Sequence, residues 1–130
     1  MRSRTVTTVL PVPKQEAFAY LAKIENLPRW ATEFARELKV EEGRYKVVNG
    51  LGEFFFRIDA DETSGVIDMR AGPSEDQLAL FPTRVVELRG GRSAFTFTMF
   101  QAPEMTDELF ESQYASLQRE FANIERELAP

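Results

Sequence analysis

The spacing of hydrophobic and polar positions divides the chain into a short mixed beginning, a long β region and a helical end. Residues 4–12 (RTVTTVLPV) are rich in β-branched side chains and predict a strand. Pro11 and Pro13 end it, because proline has no backbone N–H to donate to a sheet. Across residues 14–24 the apolar side chains recur at helical spacing and predict a first helix. Its apolar residues are Ala17, Phe18, Leu21 and Ile24.

A second short helix is predicted to start near residue 27. Asn26 is a favourable N-cap, and Pro28 is tolerated because the first turn of a helix does not need its N–H. This helix is expected to run to about Phe34 and to bury Leu27, Trp30 and Phe34.

From about residue 36 to residue 101 the hydrophobic period is close to two, which predicts six strands joined by turns. Glu42-Gly43 and Gly90-Gly91 predict hairpin turns, and Thr63-Ser64-Gly65 predicts another turn. The apolar residues that alternate onto one face of these strands are Phe54, Phe56, Ile58, Ala60, Ile67, Met69, Ala71, Phe95, Phe97 and Met99.

After Pro103 the spacing becomes helical again and predicts one long helix from roughly 106 to 128. Thr106 or Asp107 is the expected cap, with acidic residues in the first turn. The same spacing is compatible with a coiled coil, but fewer than three heptads favour a stripe that packs on the sheet. The residues of this stripe are Phe110, Tyr114, Leu117, Phe121, Ile124 and Leu128.

This order of elements predicts a single α+β domain over residues 1–130. A twisted sheet of seven strands curls, so we expect a curved antiparallel sheet whose concave face receives the C-terminal helix. The two short helices would close one end of the sheet. They would also allow the first strand to pair with the last one, while the six strands meander between.

The segment FAYLAKIENLPRW, residues 18–30, resembles the START-like superfamily, also called SRPBCC. That superfamily includes polyketide cyclase/dehydrase-type and birch-pollen-allergen-like proteins. The shared pattern is a strand, a proline, an aromatic-rich helix and a short helix that opens with Asn-Leu-Pro-x-Trp. The resemblance implies a helix-grip fold with a cavity between the sheet and the last helix. It also implies binding of lipids, sterols, polyketides or other hydrophobic molecules, and catalysis in a minority of members.

Composition argues against several classes of function. The chain has no cysteine and no histidine, so it lacks thiolate chemistry, the commonest general base and the commonest metal ligand. A net charge of −5 argues against nucleic-acid binding. The sequence shows no metal-ligand spacing, phosphate loop or dinucleotide fingerprint, so we expect no metal and no cofactor.

The localisation expected from the sequence is cytoplasmic. The first ten residues, MRSRTVTTVL, lack the apolar stretch of a signal peptide. No apolar run approaches the length of a membrane span, so we expect no membrane insertion. The sequence leaves a homodimer open.

The eleven phenylalanines are the unusual feature of the composition. Rings on an inward face can simply fill the core, or they can form the wall of a ligand pocket, which is mostly apolar with a few polar groups. Tyr20 and Trp30 are expected to be core rings with one satisfied hydrogen bond each. The alternative for Trp30 is a cap on the cavity mouth. The candidate ligand-binding residues are Trp30, Phe54, Phe56, Met69, Arg84, Phe97, Met99, Phe110 and Tyr114.

Arg84 is the sharpest single candidate. If its strand alternates without interruption, Arg84 points inward with Val86 and Leu88 and needs a carboxylate, phosphate or carbonyl partner. A bulge at Pro82 would reverse the alternation and leave Arg84 exposed. The first alternative suits a hydrophobic acid as ligand.

The carboxylates of the β region are expected on the solvated outer face. Asp59 and Arg70 would pair there across neighbouring strands. A pair of acids beside the cavity could instead do acid–base work. No residue of the sequence is assigned a catalytic role.

Three functions fit these observations. The first is binding of a small hydrophobic molecule, lipid- or polyketide-like, in the cavity. The second is a cyclase or dehydratase in which Arg84, Tyr20 or Tyr114 polarises a carbonyl. The third is a protein-interaction module, whose outer sheet face would expose an aromatic patch. The candidate residues of that patch are Phe55, Phe81 and Phe100.

Overall fold

An antiparallel sheet wrapped around one long helix forms the body of the protein, and its computed structural model describes residues 1–130. The elements are β1 (Ser3–Leu10), α1 (Lys14–Leu21), a 3₁₀ turn (Ile24–Asn26), α2 (Leu27–Trp30), β2 (Glu37–Glu41), β3 (Arg44–Asn49), β4 (Gly52–Asp61), β5 (Val66–Gly72), β6 (Ala79–Phe81), β7 (Thr83–Leu88), β8 (Arg92–Phe100) and α3 (Asp107–Glu127).

The strands lie in the order β1-β8-β7-β5-β4-β3-β2, and the short β6 pairs with β5 off this path. The first strand therefore pairs with the last one, as expected, with Ser3 opposite Phe100 and Leu10 opposite Ser93. The predicted α+β helix-grip fold, with a curved antiparallel sheet and a long C-terminal helix, is confirmed. None of the helices combines the length and apolar composition that a membrane span requires.

Two hairpin turns lie where the sequence predicts them. In the β2–β3 hairpin Glu42 and Gly43 have φ angles of 52° and 76°, and in the β7–β8 hairpin Gly90 and Gly91 have 77° and 71°. Positive φ at both central residues is the type I′ geometry, which matches the twist of the strands that it joins. On the outer face Arg70 donates from Nε to Asp59 Oδ2 at 3.0 Å, so the predicted cross-strand pair is confirmed.

The second helix is shorter than predicted. It ends at Trp30 rather than near Phe34, and α3 takes both backbone groups of the helical hydrogen bond that would join Phe34 to Trp30. Asn123 Nδ2 donates to the Trp30 carbonyl at 2.9 Å, and Glu120 accepts the Phe34 N–H at 2.9 Å. Asn26 does not cap the helix; its side-chain amide donates to the carbonyl of Tyr20 at 2.9 Å.

Of the two alternatives for Arg84, the exposed position is the one that the structure has. Pro82 separates β6 from β7, so the two do not form one continuous alternating strand. Thr83 and Val85 are buried as a result, while Arg84 is exposed and donates from Nε to the Ser64 carbonyl at 3.2 Å.

Three aromatic rings at the centre of the core join α2, β8 and α3. Trp30 meets Phe95 edge to face at 6.2 Å between ring centroids and Phe121 at 6.5 Å, while Phe95 and Phe121 stack at 5.3 Å. Such ring pairs contribute beyond the area that they bury. The predicted face of α3 therefore does pack on the sheet, with Phe121 at the point where the three elements meet.

Replacing Phe121 by alanine should lower the free energy of unfolding by about 3–5 kcal/mol, because a large void would open between Trp30 and Phe95. The matched control is Phe100→Ala, since Phe100 is 41% exposed on the outer face and its loss should have a much smaller effect. Denaturant unfolding of the two variants measures the difference. Equal losses would show that α3 does not grip the sheet through this ring.

Candidate functional site

A cavity of about 470 Å³ lies between the concave face of the sheet and α3. One side is the sheet, the other is α3, and α2 with the segment that follows it closes one end. Its apolar lining residues are Leu27, Trp30, Ala31, Phe34, Leu51, Phe56, Met69, Phe81, Phe97, Met99, Leu109 and Leu117. This volume lies within the range of small-molecule sites.

Five of the candidate ligand-binding residues lie in the wall of this cavity. They are Trp30, Phe56, Met69, Phe97 and Met99. Trp30 is a core ring, with 2% of its surface exposed, and its ring also forms part of the wall. Their role in binding stays a prediction.

Four other candidates lie outside the wall. Arg84 is on the opposite face of the sheet, and Phe54 packs at the edge of the core. Phe110 is completely buried, and the Arg2 guanidinium lies 5.3 Å from its ring centroid. The Arg4 guanidinium lies 5.4 Å from the ring centroid of Tyr114. These two α3 rings face β1 and stabilise the helix on the sheet edge.

Phe81 occupies the cavity rather than the outer face. Its ring centroid is 5.7 Å from that of Phe97, and both rings line the cavity. The prediction of an outer position for Phe81 was wrong because β6 is a separate strand that pairs only with β5, beyond the interruption at Pro82.

One end of the cavity is polar. The polar and charged residues that line it are Glu33, Arg36, Asn49, Ser112, Gln113, Ser116 and Glu120. Glu33 is held by Arg119, which donates from Nε at 2.9 Å and from Nη2 at 2.7 Å, and by the Ser116 hydroxyl at 2.9 Å. The hydrogen bonds from Arg119 lower the pKa of Glu33, which therefore stays ionised.

Glu120 is the one buried ionisable residue, with 4% of its surface exposed. Its Oε2 accepts the backbone N–H groups of Glu33 at 3.0 Å and Phe34 at 2.9 Å. Burial raises the pKa of Glu120 to about 7, and the charge of Glu33 adds to the rise, although the two N–H donors oppose it. The cavity thus holds a carboxyl group that changes protonation state near neutral pH.

The sequence carries a sign of this residue that pairing of acids along the strands does not show. Glu120 follows Leu117 by three positions and precedes Ile124 by four, so it lies on the apolar face of α3. An acid within a buried stripe must either lose its charge or find donors. The donors come from residues 33 and 34, which no spacing along α3 reveals.

Two other features of the molecule lack the chemistry of a site. A second cavity of about 370 Å³ lies between the 3₁₀ turn and strands β3 and β4, and its rim is closed by an ion pair between Arg44 and Glu75 at 2.7 Å. It contains no buried polar group. No cluster of three or more carboxylates is placed to hold a metal ion.

Solved structures show what this architecture is similar to. Protein XoxI from Bacillus cereus aligns over 98% of this chain and 96% of its own, with a TM-score of 0.76 and 13% identity. A START superfamily protein from Mycobacterium smegmatis aligns over 97% and 96%, with a TM-score of 0.67 and 11% identity. The Zhui aromatase/cyclase from Streptomyces sp. R1128 aligns over 94% and 87%, with a TM-score of 0.66 and 20% identity.

No protein-family model matches the sequence, and no curated protein matches it either. Likeness at these identities shows the fold. The chain therefore has the START-like, or SRPBCC, fold that its N-terminal segment resembles.

The raised pKa of Glu120 predicts a specific dependence of stability on pH. The folded state holds this proton up to about pH 7, whereas an ordinary glutamic acid releases it near 4.5. Between these values folding takes up a proton, so the free energy of unfolding should fall as pH rises, by roughly 3 kcal/mol in total. No histidine titrates in the same window.

Denaturant unfolding between pH 5 and pH 8 measures this slope. Glu120→Gln should flatten it, because glutamine keeps the shape of the neutral acid, while Glu125→Gln on the exposed side of α3 should leave it unchanged. The same slope in wild type and Glu120→Gln would show that Glu120 is ionised throughout this range.

Proposed function

We propose that the protein binds a small hydrophobic molecule in the cavity between the sheet and α3. The observation that carries the proposal is a cavity of about 470 Å³ with an apolar wall and one polar end. Protein interiors are normally close-packed, and unfilled apolar space lowers stability. A ligand that fills this space would recover the lost contacts.

The composition of the walls supports an apolar ligand body. The sheet side offers Phe56, Met69, Phe97 and Met99, and methionine adapts its shape to irregular ligands. On the helix side the small polar residues Ser112 and Ser116 leave room near the cavity mouth that larger side chains would fill. The fold is one that an aromatase/cyclase and a START superfamily protein share, which is consistent with this function.

A catalytic role is the second candidate, and the observation that favours it is the buried carboxyl of Glu120. A group with a pKa near neutral is suited to general acid–base chemistry. The residues that the sequence suggested for carbonyl polarisation do not line the cavity. Tyr20 donates its O–H to Glu127 at 2.8 Å near the surface, Tyr114 faces Arg4, and Arg84 lies on the outer face.

The third candidate, an aromatic docking patch on the outer face, gains no support from the placement of its residues. Phe81 lines the cavity, and the Lys46 ammonium covers the ring of Phe55 at 4.8 Å. Phe100 alone is exposed among the three.

Ser112→Trp tests the binding proposal, because Ser112 lies at the mouth of the cavity and a tryptophan there should occupy it. The neutral fluorophore N-phenyl-1-naphthylamine should bind the wild-type protein with enhanced emission and bind Ser112→Trp at least about tenfold more weakly, a loss of about 1.4 kcal/mol. The matched control is Ala122→Trp, since Ala122 is exposed on α3 and does not line the cavity.

Thermal unfolding of both variants confirms that they are folded. Equal probe affinity for all three proteins would mean that the probe binds elsewhere on the surface. Absence of probe binding to the wild type would remove the proposal.

A further inference from the structure

The two carboxyl oxygens of Glu120 have different surroundings. Oε2 accepts two backbone N–H groups, from Glu33 at 3.0 Å and Phe34 at 2.9 Å, which occupies the positions where a proton would sit on that oxygen. Oε1 has no hydrogen-bond partner in the protein. Every fully buried side-chain polar atom has a partner, so Oε1 keeps some exposure to solvent. When Glu120 is protonated, its proton therefore lies on Oε1.

Because Oε2 is turned to the backbone of residues 33 and 34, Oε1 is the oxygen of Glu120 that can face the cavity. Only 4% of the surface of Glu120 is exposed, and the residue belongs to the cavity wall. An O–H group that the protein leaves without a partner is satisfied by water or by an acceptor atom of a ligand. For a ligand whose body lies on the apolar wall, this O–H group would favour one feature, an oxygen that accepts a hydrogen bond.

We propose that Glu120 serves as a neutral hydrogen-bond donor that anchors the ligand, and that the ligand is an apolar molecule with a carbonyl oxygen at this end. The inference rests on the proposed binding function and names the chemistry of its ligand. The apolar body of such a molecule would lie along Phe97 and Met99, with its carbonyl oxygen against Oε1 of Glu120.

Three other charged residues lie at or beside the cavity. Glu33 and Arg36 come from the segment after α2, and Arg119 comes from α3. Arg119 is engaged with Glu33, and the sheet contributes no charged side chain to the cavity. Burial raises the pKa of Glu120 to about 7, so a neutral donor is present at and below neutral pH.

A cationic amine is the competing ligand class, because it would bind the ionised form of Glu120. The two classes give opposite pH dependences. A carbonyl oxygen needs the proton on Oε1 and should bind more weakly as pH rises through the pKa of Glu120, whereas an amine should bind more tightly.

The experiment compares two neutral probes on the wild-type protein. One is the fluorescent ketone 6-propionyl-2-(dimethylamino)naphthalene, and the other is its analogue with a propyl group in place of the propionyl group. From pH 6 to pH 8 the dissociation constant of the ketone should increase about tenfold, as the protonated fraction of Glu120 falls. That of the propyl analogue should not change.

Glu120→Gln provides the decisive variant. The glutamine carbonyl can accept the Glu33 and Phe34 N–H groups, and its amide nitrogen then donates into the cavity at every pH. This variant should bind the ketone at pH 8 about as well as the wild type does at pH 6. Glu120→Met, which has no donor, should bind both probes with nearly the same affinity.

Three outcomes would overturn the inference. The first is a ketone affinity that is independent of pH in the wild type, and the second is an unaltered pH dependence in Glu120→Gln. The third is tighter binding of 2-(aminomethyl)naphthalene at higher pH that disappears in Glu120→Gln, which would assign an amine. If the propyl analogue binds, the cavity binds apolar molecules and these results concern Glu120 alone. If neither neutral probe binds, the proposed binding function itself fails.

Discussion

The carboxyl group of Glu120 connects the long helix to the end of the second helix, and the shape of the site depends on this contact. Its Oε2 takes the N–H groups of residues 33 and 34, and Asn123, one turn further along α3, takes the Trp30 carbonyl. Together they stop α2 after a single turn. The chain then turns away across the end of the sheet and leaves a cavity with a polar end.

The same contact gives two neighbouring acids opposite properties. Glu33 lies against Arg119 and Ser116 and stays ionised, while Glu120 is buried and has a pKa near neutrality. Different environments, rather than different residue types, separate their behaviour. In a chain without histidine or cysteine this arrangement supplies a titratable group in the neutral range.

The phenylalanines divide between two tasks. Phe95 and Phe121 stack with each other and meet Trp30, which fixes α3 on the sheet. Phe81 and Phe97 lie further along the concave face, where the space is not filled. The two groups share one face of the sheet, so the core continues into the cavity wall without a boundary in the sequence.

Local rules predicted the elements that depend on local physics. The stripe of α3 follows from periodicity, and the two type I′ turns follow from glycines that tolerate positive φ, although Glu42 adopts it too. At Pro82 the sequence left two alternatives. A proline without an N–H can interrupt a strand, or it can be tolerated within a strand at the edge of a sheet. Pairing settled the choice: β6 joins β5 alone, and Arg84 turns outward.

The sequence by itself therefore determined the order of strands and helices except for the division of β6 from β7 at Pro82. It also determined the apolar faces that meet and, through its N-terminal motif, the fold. Of the site it predicted most of the aromatic wall, since wall and core obey the same alternation. Only the tertiary structure decided that the carboxyl group of Glu120 is buried in the cavity wall. That choice depends on backbone donors at residues 33 and 34 meeting a side chain 86 positions away from Phe34, and a contact of this kind has no local signature.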